Sequence, residues 1–172
     1  MSIHVLRILR RGKRNAQENP VKRSLVQQIL ARHSGAPALI IGQYLDQLKQ
    51  MAATCDAPLI TGKTVQRERE RLYALFRTGE LSLLVLSKVG IFALDLPDAE
   101  VLIQVSGTFG SRQEEAQRLG RVLRPKAAGR QAHFYTLVSR DTDEQEFAHH
   151  RQLFLTEQGY AYRIADESEW SQ

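Results

Sequence analysis

Residues 38–87 read ALIIGQYLDQLKQMAATCDAPLITGKTVQRERERLYALFRTGELSLLVLS. Three short runs in this stretch, Ala38–Gly42, Pro58–Gly62 and Ser82–Ser87, are rich in Val, Ile and Leu and apolar through their centres. A strand that is apolar along its length, rather than at alternate positions, is covered on both faces, as in a parallel sheet. The longer stretches between them, Tyr44–Ala53 and Thr64–Arg77, have helical spacing. Strand, helix, strand, helix, strand is the rhythm of a doubly wound α/β domain.

The same rhythm continues outward. Val101–Ser106 and His133–Ser139 add two strands, and Val21–Arg32 sets Leu25, Val26, Ile29 and Leu30 on one side of a preceding helix. Ser111–Arg124 opens on Ser111 and Glu114, a Ser-x-x-Glu box in which each side chain satisfies a free backbone amide. Thr142–Glu157 opens the same way on Thr142 and Gln145, and Gly159 supplies the left-handed turn that ends it. The expected fold is α/β, a doubly wound, mostly parallel sheet with helices on both faces. One domain is expected over residues 21–172, after a basic lead-in over 1–20.

The 24 Lys and Arg outnumber the 19 Asp and Glu, a net charge of +5, which favours polyanionic partners only weakly. The distribution says more: Arg7, Arg10, Arg11, Lys13, Arg14, Lys22 and Arg23 crowd the start with Glu18 as their only acidic companion. A transit peptide would be serine-rich as well, so a solvated segment near a phosphate backbone is the better reading. The longest apolar runs fall far short of the roughly 20 residues of a membrane span. Cys55 is the single cysteine, which excludes an internal disulfide framework and fits a cytoplasmic protein.

The helix Ser111–Arg124 reads SRQEEAQRLGRVLR. At about 100° per residue, Ala116, Leu119 and Leu123 form the buried stripe, and Gln117, Arg121 and Arg124 fall together beside it. Gly120, between the faces, lets another backbone or a ligand approach. Two guanidinium groups on a rigid platform suit a phosphate, because each is a planar fork of donors that cannot lose its charge. The plainer alternative is a solvated face pairing its arginines with Glu114 and Glu115.

A second element shifts the weighting. Residues 87–97, SKVGIFALDLP, follow a strand directly, where α/β domains place their ligands. Ser87 and Lys88 offer a hydroxyl and a cation to a phosphate, Gly90 permits close approach, and Asp95 can accept from a ribose hydroxyl.

Gln117 to Arg124, QRLGRVLR, resembles motif VI of superfamily 2 helicases, and Ser87 to Pro97 resembles their motif V. With Val101 to Ser106 and Gly110 to Arg118, the likeness is to the XPB family of DNA helicases, from about Asn19 to Ile164. The resemblance implies the second of two RecA-like lobes, with ATP and Mg2+ bound at the interface with the first. It makes Arg121 and Arg124 arginine fingers for the γ-phosphate, and sets Gln117 near that phosphate or the attacking water. Gly90 and Asp95 would face the nucleotide, Asp95 near the ribose. Ser87, Lys88, Gly42 and Gln43 would lie near the DNA track or the coupling interface. It also implies 3′-to-5′ movement on DNA and a role in repair or transcription. Ala93 stands where most of the superfamily has Gly, and Ile91 and Phe92 where eukaryotic relatives have polar residues, which points to a bacterial-type branch.

Thr61-Gly62-Lys63-Thr64 invites a phosphate-loop reading, but the required earlier glycine is Ala57. With no other glycine-rich phosphate loop and no acidic pair for magnesium, the chain by itself is expected to lack ATPase activity. Glu146 and His149 have the spacing of carboxylate-bridged metal sites but no second copy, so no metal is expected on this domain. A module of the same fold that binds nucleic acid or a partner without coupling to ATP is the alternative. The shared direction of Gln117, Arg121 and Arg124 favours the motor lobe.

Overall fold

A computed structural model describes residues 2–8, 20–87, 99–106, 131–139 and 161–170. The described strands are β1 (Ser2–Ile8), β2 (Ala38–Gly42), β3 (Leu59–Ile60), β4 (Leu83–Ser87), β5 (Val101–Gln104), β6 (His133–Ser139) and β7 (Ala161–Asp166). The described helices are α1 (Pro20–Arg32), α2 (Leu45–Thr54), α3 (Gln66–Thr78) and the single turn α4 (Glu167–Trp170). The strands form one sheet in the order β3-β4-β2-β5-β6-β1-β7, and every pairing is parallel.

Alternation along each strand divides the core in two. Leu39 and Ile41 of β2, Leu84 and Leu86 of β4, Leu102 and Phe134 belong to one cluster with Leu72, Tyr73 and Phe76 of α3. Ala38 and Ile40, Val85, Val101, Ile103 and Leu137 face the other way, toward Leu25, Val26 and Ile29 of α1 and Leu48 and Met51 of α2. Both faces of the central strands are thus buried, which is why their sequences read as unbroken apolar runs. Helices α1 and α2 precede strands lying further toward the β3 edge, and α3, on the opposite face, turns the chain back to β4. Right-handed crossovers require that pairing of direction with face. Gly79, at φ 83°, ends α3 in the left-handed conformation and donates its amide to Phe76.

The strands read from the sequence at 38–42 and 133–139 have those bounds, while the one read at Pro58–Gly62 shortens to Leu59–Ile60. A clear difference lies at the start. Ser2–Ile8, read as lead-in, is an inner strand between β6 and β7, with Leu6 and Ile8 fully buried beside α1. Arg7 projects outward between them and pairs with Asp166 of β7 at 3.5 Å, so its charge belongs to a sheet edge. Strand β7 and the turn α4 also had no counterpart in the sequence reading. The helices read at 111–124 and 142–157 lie outside the described residues.

Candidate functional site

Because the strands are parallel, the carboxyl ends of β4, β2 and β5 share one edge of the sheet and lie side by side. Gly42 is in register with Ser87, and Ile41 with Gln104. Pairing runs on past β5, where the Val105 amide donates to Ile41 O at 2.9 Å. Ser106 Oγ then accepts the backbone N–H of Gln43 at 3.0 Å. The two strand exits are stitched together on both sides of Gly42.

Gly42 is required there by space. A Cβ would meet Ser106 Oγ at 2.9 Å, Leu48 Cδ2 at 3.0 Å and Val105 Cγ2 at 3.0 Å. Next to it Ser87 is buried, and its Oγ has no hydrogen-bond partner among the described residues. A buried hydroxyl without a partner costs about 1–3 kcal/mol. Gln43 extends into solvent while its backbone is held. The structure therefore brings Gly42, Gln43 and Ser87 together on one edge. Lys88, Gly90, Asp95, Gln117, Arg121 and Arg124 lie outside the described residues.

Sequence reasoning missed Lys22 at this edge. Its side chain is fully buried, and Nζ donates to Val105 O at 2.8 Å. The signal was available, because Lys22 occupies the same helical stripe as Leu25, Val26 and Ile29.

The turn at the end of β3 is closed on itself. Thr64 Oγ1 accepts from the Thr61 amide at 2.9 Å, Thr61 Oγ1 from the Lys63 amide at 3.1 Å, and Thr61 O from the Thr64 amide at 3.1 Å. Arg69 Nη2 donates to the carbonyls of Thr61 and Thr64 at 3.3 and 3.4 Å. Amides already bonded inside the turn cannot cradle a phosphate, which is the physical failing of the phosphate-loop reading.

The opposite edge carries an aromatic cluster that the sequence did not announce. His33 Nε2 and the Tyr135 hydroxyl share a hydrogen bond of 2.7 Å, and His4 Nε2 and His133 Nδ1 lie 3.4 Å apart. His4 also stacks on Tyr135, with ring centroids 4.6 Å apart. Burial, then the neighbouring His133, lowers the His4 pKa to about 4. Burial likewise lowers His33 and His133 and pushes Tyr135 up to about 12. Trp170 closes the cluster: Arg32 lies 4.1 Å over its ring and donates to its carbonyl at 2.7 Å. These rings tie the end of α1 to β1, β6 and α4. Among the described residues no group of three or more His, Cys, Asp and Glu could hold a metal ion, and no helix is long and apolar enough to cross a membrane.

Residues 7–172 match the family model of the ERCC3/RAD25/XPB C-terminal helicase domain. The chain belongs to the XPB helicase family. It is 61% identical over 145 residues to the DNA 3′-5′ helicase XPB of Kineococcus radiotolerans, covering 84% of this chain and 26% of that protein. Over 151 residues it is 41% identical to the TFIIH helicase/translocase subunit XPB of Enterocytozoon bieneusi, covering 84% of this chain and 25% of that protein. The higher identity is to the bacterial relative. The chain spans about a quarter of the length of these XPB proteins. The fold is that of a RecA-like helicase lobe: the C-terminal domain of the DEAD-box protein Dbp5 superposes with a TM-score of 0.75 at 16% identity, covering 99% of this chain and 93% of that one.

Proposed function

We propose that this XPB-family domain is the second motor lobe of an ATP-dependent DNA helicase or translocase of 3′-to-5′ polarity, working in repair or transcription in the cytoplasm. Its partners are DNA and a first RecA-like lobe, and ATP with Mg2+ binds between the lobes. Arg121 and Arg124 neutralise charge on the γ-phosphate, and Gln117 orients that phosphate or the attacking water. Gly90 and Asp95 face the nucleotide, with Asp95 accepting from the ribose. Ser87, Lys88, Gly42 and Gln43 touch the DNA track or relay its occupancy.

The observation that supports this reading is the edge shared by β4, β2 and β5. Gly42 is closed against Ser106 there, and the Ser87 hydroxyl is buried beside it without a partner among the described residues. The sequence that bears Gly90 and Asp95 follows Ser87, and the sequence that bears Gln117, Arg121 and Arg124 follows Ser106. Nucleotide and nucleic-acid groups would thus depart from one rigid edge, so that a shift felt by one is felt by the other.

The test is DNA-stimulated ATP hydrolysis by this chain alone and by the chain joined to a first lobe. The expected result is no turnover alone, turnover when joined, and a loss of about 10³-fold or more with Arg124→Ala, the scale of an arginine finger. Equal turnover by the joined Arg124→Ala protein would remove the finger assignment and favour a module that binds without coupling to ATP.

A further inference from the structure

Lys22 stands in the first turn of α1, a turn with no acidic residue, and is fully buried on the stripe that carries Leu25, Val26 and Ile29. An ammonium group at a helix amino terminus opposes the helix dipole, and its removal from water is costly. Packing alone would be served by a leucine or methionine at that position. Positions where sequence breaks a local rule are where function is to be sought.

One of the contacts of the lysine fixes a dipeptide. Nζ holds the carbonyl of Val105 at 2.8 Å, while the amide of the same residue is held by Ile41 O at 2.9 Å. The next residue, Ser106, accepts the Gln43 N–H, and Val105 Cγ2 and Ser106 Oγ together close the space over Gly42. Helix α1, the exit of β2 and the exit of β5 therefore meet at Val105-Ser106, where Val105 shares a buried cluster with Leu25, Val26 and Ile29 and Lys22 adds a hydrogen bond from the helix.

We propose that Lys22 is a positioning residue: it clamps Val105-Ser106 against Gly42-Gln43 and so keeps the two strand exits in the alignment that turnover needs. The need for turnover rests on the motor-lobe reading above; the clamp itself does not. A lysine that only filled the core could be replaced by an apolar side chain of similar length without consequence at Gln43.

The experiment uses the chain joined to its first lobe, with Lys22→Met, which keeps the length and loses the donor, and Lys22→Gln, which keeps a donor without the charge. In Lys22→Met the Gln43 amide is expected to exchange at least about tenfold faster while the amides of Ile40 and Val85 keep their rates, the mark of a local opening. The kcat of DNA-stimulated ATP hydrolysis is expected to fall about 10- to 100-fold, the effect of a misplaced catalytic group, with KM for ATP within about twofold. Lys22→Gln is expected to fall between. Unchanged Gln43 exchange, or unchanged kcat, in folded Lys22→Met would overturn the proposal. So would failure of both variants to fold, since the lysine would then be holding the core. If the unsubstituted joined protein does not hydrolyse ATP, the motor-lobe reading fails, and the Gln43 exchange rate alone decides the clamp.

Discussion

Gly42→Ala is the smallest change that probes the closed strand exits, since it adds one methyl group at a position with no room for it. In an extended strand, replacing glycine by alanine removes freedom from the unfolded chain and stabilises by about 0.4–1 kcal/mol. Against that, the new Cβ would lie 2.9 Å from Ser106 Oγ and 3.0 Å from Leu48 Cδ2 and Val105 Cγ2. Leu48 can yield a few tenths of an ångström, but Ser106 Oγ is on a short, buried side chain and is engaged by the Gln43 amide. Overpacking costs about 1–3 kcal/mol, and pushing Ser106 off the Gln43 amide adds roughly 1 kcal/mol. The contact terms win, and a net destabilisation of about 1–3 kcal/mol is expected from these magnitudes. Urea unfolding of the domain measures it. A double-mutant cycle with Ser106→Ala locates it, because removing the hydroxyl should recover about 1 kcal/mol of the alanine's cost. A Gly42→Ala protein within about 0.5 kcal/mol of the parent, the range of an ordinary surface change, would refute the close-approach argument.

Two further expectations concern the opposite edge. Arg32→Ala should cost about 1–2 kcal/mol through loss of the ring contact and of the hydrogen bond to the Trp170 carbonyl. Trp170 is the only tryptophan of the chain, so its emission should shift toward that of a solvated indole; an unchanged spectrum would mean that α4 docks without the arginine. The histidine cluster should also make the fold acid-sensitive. His4 binds its proton only near pH 4 in the folded state but near 6.5 when unfolded, and His33 and His133 shift the same way. Stability should therefore be complete above pH 6.5 and fall as pH drops from 6.5 toward 4. The His4 contribution is of order 1 kcal/mol once solvent screening of a partly exposed ring is allowed for. Thermal melts across that window check it, and His4→Phe should flatten part of the slope.

Much of the fold was legible because its signals are local. Apolar runs such as Ala38–Gly42 and the helical spacing of Leu72, Tyr73 and Phe76 are read within a few residues, and each lies in the expected element. Strand β1 was hidden by composition: Arg7 and the arginines that follow drew the reading toward a solvated tail. Leu6 and Ile8, flanking Arg7, already showed the alternation of a strand with one outward position. Ser87 was singled out as a candidate from its place after a strand, and Gly42 and Gln43 from family likeness; the structure sets the three side by side on one edge. Lys22 was passed over because a lysine is ordinarily assigned to solvent.

The amino-acid sequence by itself determined the strand-and-helix rhythm, the doubly wound class and the family, since all three are written in patterns a few residues long. Tertiary structure decided what depends on residues far apart in the chain. Gln43 meets Ser106 across 63 positions, Lys22 meets Val105 across 83, and Arg32 meets Trp170 across 138. The placing of β1 between β6 and β7, the closed space over Gly42 and the burial of an ammonium group are of the same kind. Local propensity carries no record of such contacts; they exist only once the sheet has ordered its strands and brought distant backbones within a hydrogen bond of each other.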